Sequence, residues 1–431
     1  MGQTLIRARL LSFLREPQSP EDTASFRYIE DGALLIEGGI IRAMGEFGAV
    51  STEGAEVIDH RPHLLMPGFI DTHLHFPQMQ VIASWAAELL DWLNDYTFPE
   101  ETRYADPALC ARMAGVFLDR LTEHGTTTAV AYGSVHATSA EALFAEAFAR
   151  NMRLIAGKVM MDRNAPEALR DTAQSGYDES KALIARWHGR GRLSYAITPR
   201  FAITSSPAQM DAASALAREY PECYIQTHLS ENHAEIALSC QLYPEALDYT
   251  DIYARYGLLR ENSLLGHAIH LRAREIGALA EAGAKPVFCP TSNLYLGSGL
   301  FDDAKLRAAG LVNAIATDIG GGTSYSMLQT LAEGYKVLQL NRQRLHPYRA
   351  FDWITRGNAA ALGLQDRIGT LEAGSEADLV VLNAKATPAM ALRMERARGL
   401  MDELFTLQVM GDDRAVVQTY VAGVACKGAG L

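Results

Sequence analysis

The sequence predicts a (β/α)8 TIM barrel of the α/β class, joined to a small β-sandwich-like domain formed by both chain ends. Three observations predict it. Eight short apolar runs recur between 66 and 360, and helical patterns fill the gaps between them. Most of the runs are nearly continuous in apolar residues, as strands buried on both faces of a parallel sheet are. The two ends lack this rhythm and read as strands punctuated by turn glycines.

In chain order, residues 1–65 open the small domain, 66–360 form the barrel, and 361–431 return to the small domain. "GALLIEGGIIRAMGEF" is a β-hairpin turning at Gly38 and Gly39. The barrel strands are expected in "LLMPGFIDTHLHF", "TTTAVAYG", "RLIAGKVMMD", "LSYAITPRF", "CYIQTHLS", "SLLGHAIHL", "KPVFCPTSN" and "NAIATDIGG". Helices are expected in "PALCARMAGVFLDRLTEHG", "SAEALFAEAFARN", "SPAQMDAASALAREY" and "RAREIGALAEAGA", where apolar residues fall at helical spacing. Several open on Ser, Thr, Asp or Pro and stop at Gly. "GTLEAGSEADLVVLN" and "RAVVQTYVAGVAC" supply the closing strands.

Composition narrows the function. The chain has 431 residues, 48% hydrophobic and 21% charged, with a net charge of -12. No block of Lys or Arg stands out, which argues against a nucleic-acid partner. The five cysteines (Cys110, Cys223, Cys240, Cys289 and Cys426) form no C-x-x-C pair, as expected of reduced thiols in a cytoplasm. No signal peptide and no run of membrane-spanning length is read, so a soluble cytoplasmic protein with no membrane partner is expected.

Active sites in this barrel class sit at the C-terminal ends of the strands. In a strand, side chains alternate faces, so His73 and His75 aim at one spot. Later strand ends carry His228 in "QTHLSEN", His267 in "LLGHAIHL" and Asp318 in "ATDIGGG". Four imidazoles and one carboxylate suit a borderline divalent metal, zinc or iron. A lone histidine on an apolar strand is as readily a hydrogen-bonded core residue; the shared strand-end position sets these four apart. His270 is the alternative to His267. Glu231 lies beyond its strand end, within reach of the site or else solvated. Arg200, before Phe201, is a clamp for a substrate oxygen or a rim ion pair. Lys158, in the apolar third strand, is read as pairing with a buried acid rather than bridging two metals.

These residues carry a resemblance. "PGFIDTHLHFPQ", "THLSEN", "LLGHAIHL" and "ATDIGGG" resemble the metal-dependent amidohydrolase superfamily, as does the tail "IGTLEAGSEADLVVLN". "HFPQ", "ELLDWLNDYTFPEE", "ITPRFAITSS", "CPTSNLYLGSGLF" and "GGTSYSML" are most similar to its guanine-deaminating branch, so the resemblance spans essentially the whole chain. It implies one metal, usually zinc, on His73, His75, His228, His267 and Asp318. It implies Glu231 as proton shuttle; Gln78, Arg200 and the Phe201 backbone as purine contacts; and Trp92 as part of a hydrophobic wall. The implied reaction is the hydrolysis of guanine to xanthine and ammonia, in purine catabolism, by a homodimer. Hydroxide from water acidified by the metal attacks the ring, Glu231 protonates N3 beside C2, and Asp318 carries protons.

The loop at 82–99, with Trp85, Trp92, Tyr96 and Phe98, is expected to cover the site. Related deaminases often have His where this chain has Phe288, which puts a hydrogen bond near the seventh strand in doubt. Two other readings stand beside this one: an amidohydrolase acting on a different aminopurine, pterin or related heterocycle, and a non-catalytic scaffold of the same fold. The scaffold reading is weakened by the intact ligand positions.

Overall fold

The structure, a computed structural model, describes residues 2–85 and 89–428. The chain opens with β1 (Gln3–Phe13), β2 (Phe26–Glu37), β3 (Ile40–Glu46) and β4 (Ala55–Pro67). The hairpin between β2 and β3 turns on Gly38 and Gly39 with φ of 60° and 79°, the left-handed conformation that glycine adopts without a side-chain clash. The barrel staves follow: β5 (Phe69–His75), β6 (Thr126–Tyr132), β7 (Arg153–Gly157), β8 (Val159–Met160), β9 (Leu193–Pro199), β10 (Tyr224–Leu229), β11 (Ser263–His267), β12 (Lys285–Phe288) and β13 (Ala314–Ile315). Last come β14 (Leu379–Leu382), β15 (Val416–Val421) and β16 (Val424–Ala425).

The chain ends build one seven-stranded sheet in the order β16-β15-β14-β4-β1-β2-β3. The staves run parallel in the order β5-β6-β7-β9-β10-β11-β12-β13, with β8 pairing β9. The seam between β13 and β5 is stitched by side chains as well as backbone. Asp318 N donates to His73 O at 2.9 Å, and the Asn358 amide donates to Ile70 O at 2.7 Å and Ile315 O at 2.8 Å.

Two expected strands prove to be composite. "LLMPGFIDTHLHF" breaks at Gly68, so that Leu64 to Met66 belong to the end sheet and Phe69 onward to the barrel. The third stave breaks at Lys158, where β7 gives way to β8. The four quoted helical stretches form helices Pro107–Glu123, Ala137–Ala149, Pro207–Glu219 and Ala273–Ala282. Asp106 and Ser206 cap the first and third by accepting backbone N–H groups. The C-terminal segment also carries two helices, Pro388–Met394 and Leu400–Met410, which bury Met390, Leu404 and Leu407 in the barrel's apolar core.

Lys158 is fully buried and pairs with Asp171 at 2.7 Å and with the half-exposed Glu179 at 3.1 Å. Burial raises the Asp171 carboxyl, and the ammonium opposes that rise. Lys158→Met leaves Asp171 buried without its cation. The expected loss is about 3–5 kcal/mol, read as a lowered denaturant midpoint. An unchanged midpoint would show that the pair is dispensable.

Candidate active site

The C-terminal ends of β5, β10 and β11 and the turn after β13 bring His73, His75, His228, His267 and Asp318 together. Asp318 Oδ1 lies 3.4 Å from His73 Nε2 and 3.3 Å from His75 Nε2, and its Oδ2 lies 3.7 Å from His267 Nε2. His228 Nε2 faces His75 Nε2 at 3.2 Å. The approach of His73 to β11 requires Gly266, where a β-carbon would sit 2.5 Å from the imidazole. His267 and Asp318 adopt φ of 71° and 55°, a left-handed backbone that costs a residue with a β-carbon about 1 kcal/mol or more. His270 turns away, bonding the Ser298 carbonyl at 2.7 Å.

The surrounding hydrogen bonds fix two of the imidazoles. His228 Nδ1 donates to the Arg200 carbonyl at 2.7 Å, and His267 Nδ1 to the Asn293 side-chain oxygen at 2.9 Å. Their Nε2 lone pairs therefore point into the cluster. His73 Nε2 is buried without a hydrogen-bond partner. Burial holds His75 down to about 4, against the pull of Asp318; burial and the neighbouring imidazoles hold His228 far below its usual range. Burial opposes ionisation of Asp318, but the His73 and His75 imidazoles beside it hold its carboxyl well below the usual carboxylate range. Four imidazoles and a carboxylate converging on one spot, with the Nε2 lone pairs of His228 and His267 turned inward, fit a divalent cation.

Glu231 sits two residues past β10, 3% exposed. Its Oε2 is 3.3 Å from His267 Nε2, and its Oε1 accepts from Ser298 Oγ at 2.9 Å. Burial and the charge of Asp318 push it up to about 8. The Glu235 carboxylate holds its backbone N–H at 2.7 Å.

A cavity of roughly 400 Å³, counting its open mouth, lies over the cluster. Gln78, Trp92, Arg200 and Phe201 all line it, with Glu231 and Asp318 at its floor. Phe98 packs behind Trp92 and Phe201 in one apolar cluster. The expected cover is only partly realised. Trp92 and Phe98 are buried, but Trp85 is 78% exposed, and residues 86–88 of the loop lie outside the described residues.

Five residues escaped the sequence reading. Glu101, fully buried, binds both Arg200 and Gln78. Tyr132 stacks on His75 with ring centroids 4.5 Å apart. Asn293 orients His267, and Ser292 Oγ is buried without a partner in the cavity wall. Cys289 Sγ lies within 4.8 Å of donor atoms of His73, His267 and Asp318, though burial and Asp318 push its thiol well above the usual cysteine range. Only "PEE" and "CPTSN" marked any of these in the sequence. Phe288 does not line the cavity: it stacks on Phe301 at 4.6 Å in the core.

A parallel barrel with this donor cluster at its mouth is the architecture of a metal-dependent hydrolase. The chain belongs to the amidohydrolase family, whose profile matches residues 64–426. It is 48% identical to the guanine deaminase of Escherichia coli K12 over 97% of this chain and 96% of that one. The solved E. coli guanine deaminase superposes with a TM-score of 0.95 at 47% identity, covering 98% of this chain and 99% of that one. Guanine deaminase from C. acetobutylicum, solved with guanine in its active site, gives 0.89 at 26% identity over 98% and 99%.

Proposed function

We propose that the protein is a guanine deaminase, hydrolysing guanine to xanthine and ammonia. The observation that carries this reading is the placement of Arg200 and Gln78 in the wall of a cavity floored by Glu231 and Asp318, in a chain 48% identical to a guanine deaminase. His73, His75, His228, His267 and Asp318 would hold one divalent metal, zinc by the nitrogen-rich donor set, with iron the alternative. The metal, when bound, acidifies water to supply a nucleophile near neutral pH.

The chain's own groups do the rest. Glu231, protonated, donates to N3 of the purine and so relieves charge as the nucleophile adds at C2. Asp318 is placed to accept a proton and pass it to the departing amine. Arg200 Nε and Nη2 have no partner among the described residues, leaving them free for the purine oxygen. The Phe201 N–H, likewise without a partner among the described residues, is free for an acceptor on the ring edge, and Trp92 walls the ring. A homodimer follows from the resemblance alone. No described helix is long and apolar enough to cross a membrane, and the five cysteines are free, which supports a cytoplasmic location.

The test is ammonia release and loss of guanine absorbance with metal-loaded protein, with adenine, cytosine and a pterin in parallel. Guanine should be consumed and adenine, lacking the oxygen, rejected by roughly 10⁴-fold. Consumption of the pterin instead of guanine would keep the metal site and overturn the substrate.

A further inference from the structure

Glu101 lies in the helical segment Phe98–Thr102, reached from β5 through the long loop, and is fully buried behind Arg200 and Gln78, which line the cavity. Its neighbour Glu100 turns outward to Arg103 at 2.6 Å. Glu101 turns inward, and both its oxygens are used. Arg200 Nη1 donates to them at 2.8 and 2.7 Å, and Gln78 Nε2 donates to Oε1 at 2.7 Å. The far side of the Gln78 amide accepts from Gly320 N at 3.2 Å, so its orientation is fixed from both ends. Phe98 supports the guanidinium from below, 5.5 Å from its ring centre.

We propose that Glu101 is the positioning residue that locks Arg200 and Gln78 into one substrate-reading unit and cancels the charge of Arg200. The inference rests on the guanine reading and deepens it. Two consequences follow from the chemistry. First, an Arg200 held by one nitrogen presents the remaining N–H groups in a fixed direction, so a purine with an oxygen there is bound and one without it leaves buried donors unpaired. Second, the Glu101–Arg200 pair is neutral overall. It gives no advantage to an anion, and xanthine, more acidic than guanine and ionising near neutral pH, is the anion that the site must release. Without Glu101 the lone guanidinium would hold xanthinate.

The test compares wild type, E101Q and E101D on guanine and on 2-aminopurine, which has the reacting amine but no oxygen, with xanthine as inhibitor across pH. Metal content and melting temperature are followed in parallel. For E101Q the expected result is a KM for guanine raised about 10–100-fold with kcat within about threefold. The preference for guanine over 2-aminopurine should fall by about tenfold or more, and xanthine should inhibit about tenfold more tightly above neutral pH. E101D keeps the charge but shortens the reach. It should lose the preference without gaining the tight inhibition, and it carries the test if E101Q does not fold. Equal losses on both substrates with unchanged xanthine inhibition would reduce Glu101 to a structural residue and overturn the proposal, as would unchanged kinetics. A wild-type enzyme inert toward guanine would instead sink the substrate reading before any variant is compared.

Discussion

Glu231→Gln is expected to lower kcat for guanine by about 10²–10⁴-fold while metal content stays unchanged. Glutamine keeps the volume and an oxygen for Ser298 Oγ, so the turn after β10 should persist. What it removes is the transferable proton. Burial first, then the charge of Asp318, raises Glu231 to about 8, so below that pH the group is an acid able to donate. The active form is protonated, so wild-type kcat/KM should fall on the alkaline side as Glu231 ionises. A dication in the adjacent cluster shifts that limb to lower pH without reversing it. In E231Q the residual rate should lack the limb. A pH–rate profile in which both proteins share the same alkaline fall would assign it elsewhere and remove Glu231 from the proton transfer.

The two kinds of site residue differed in how far they could be read from sequence. His73 and His75 were legible because strand alternation is strict: two residues apart on one stave, they share a face. His228, His267 and Asp318 were legible because each follows an apolar run where a stave must end. Glu101 was not, because a Glu-Glu pair in a loop carries no periodicity to say which carboxylate turns inward. Only the tertiary partners, Arg200 from β9's end and Gln78 from β5's, decide that. Asn293 was hidden for the same reason, since its role depends on a hydrogen bond from the end of β11 to the short helix Pro290–Tyr295. The break at Gly68 was invisible because both sides are equally apolar, and the sheet and barrel meet without a polar linker. The helices Pro388–Met394 and Leu400–Met410 were lost between strand-like neighbours, although they bury their apolar residues in the barrel's core.

Stripping the metal with a chelator is expected to abolish turnover and lower the melting temperature by on the order of 5 °C, with both restored when zinc is returned. The cluster explains why. Five donor side chains are held within 3.7 Å of a neighbour, and two of the imidazoles have their tautomers fixed from behind by Arg200 and Asn293. Without a cation, the inward-facing Nε2 lone pairs of His228 and His267 and the Asp318 carboxylate have no common partner to bind. The unfolded chain has no such preformed site, so metal affinity appears as folding stability: about 4 kcal/mol at a thousandfold excess over Kd. Protons compete for the same nitrogens, but burial holds His75 down to about 4. Metal should therefore stay bound through about pH 5 and leave only as the pH falls towards 4. Release already at pH 6–7, or a melting temperature indifferent to chelation, would mean that these donors do not hold a cation. The chemistry assigned to Glu231 and Asp318 would then have no nucleophile to serve.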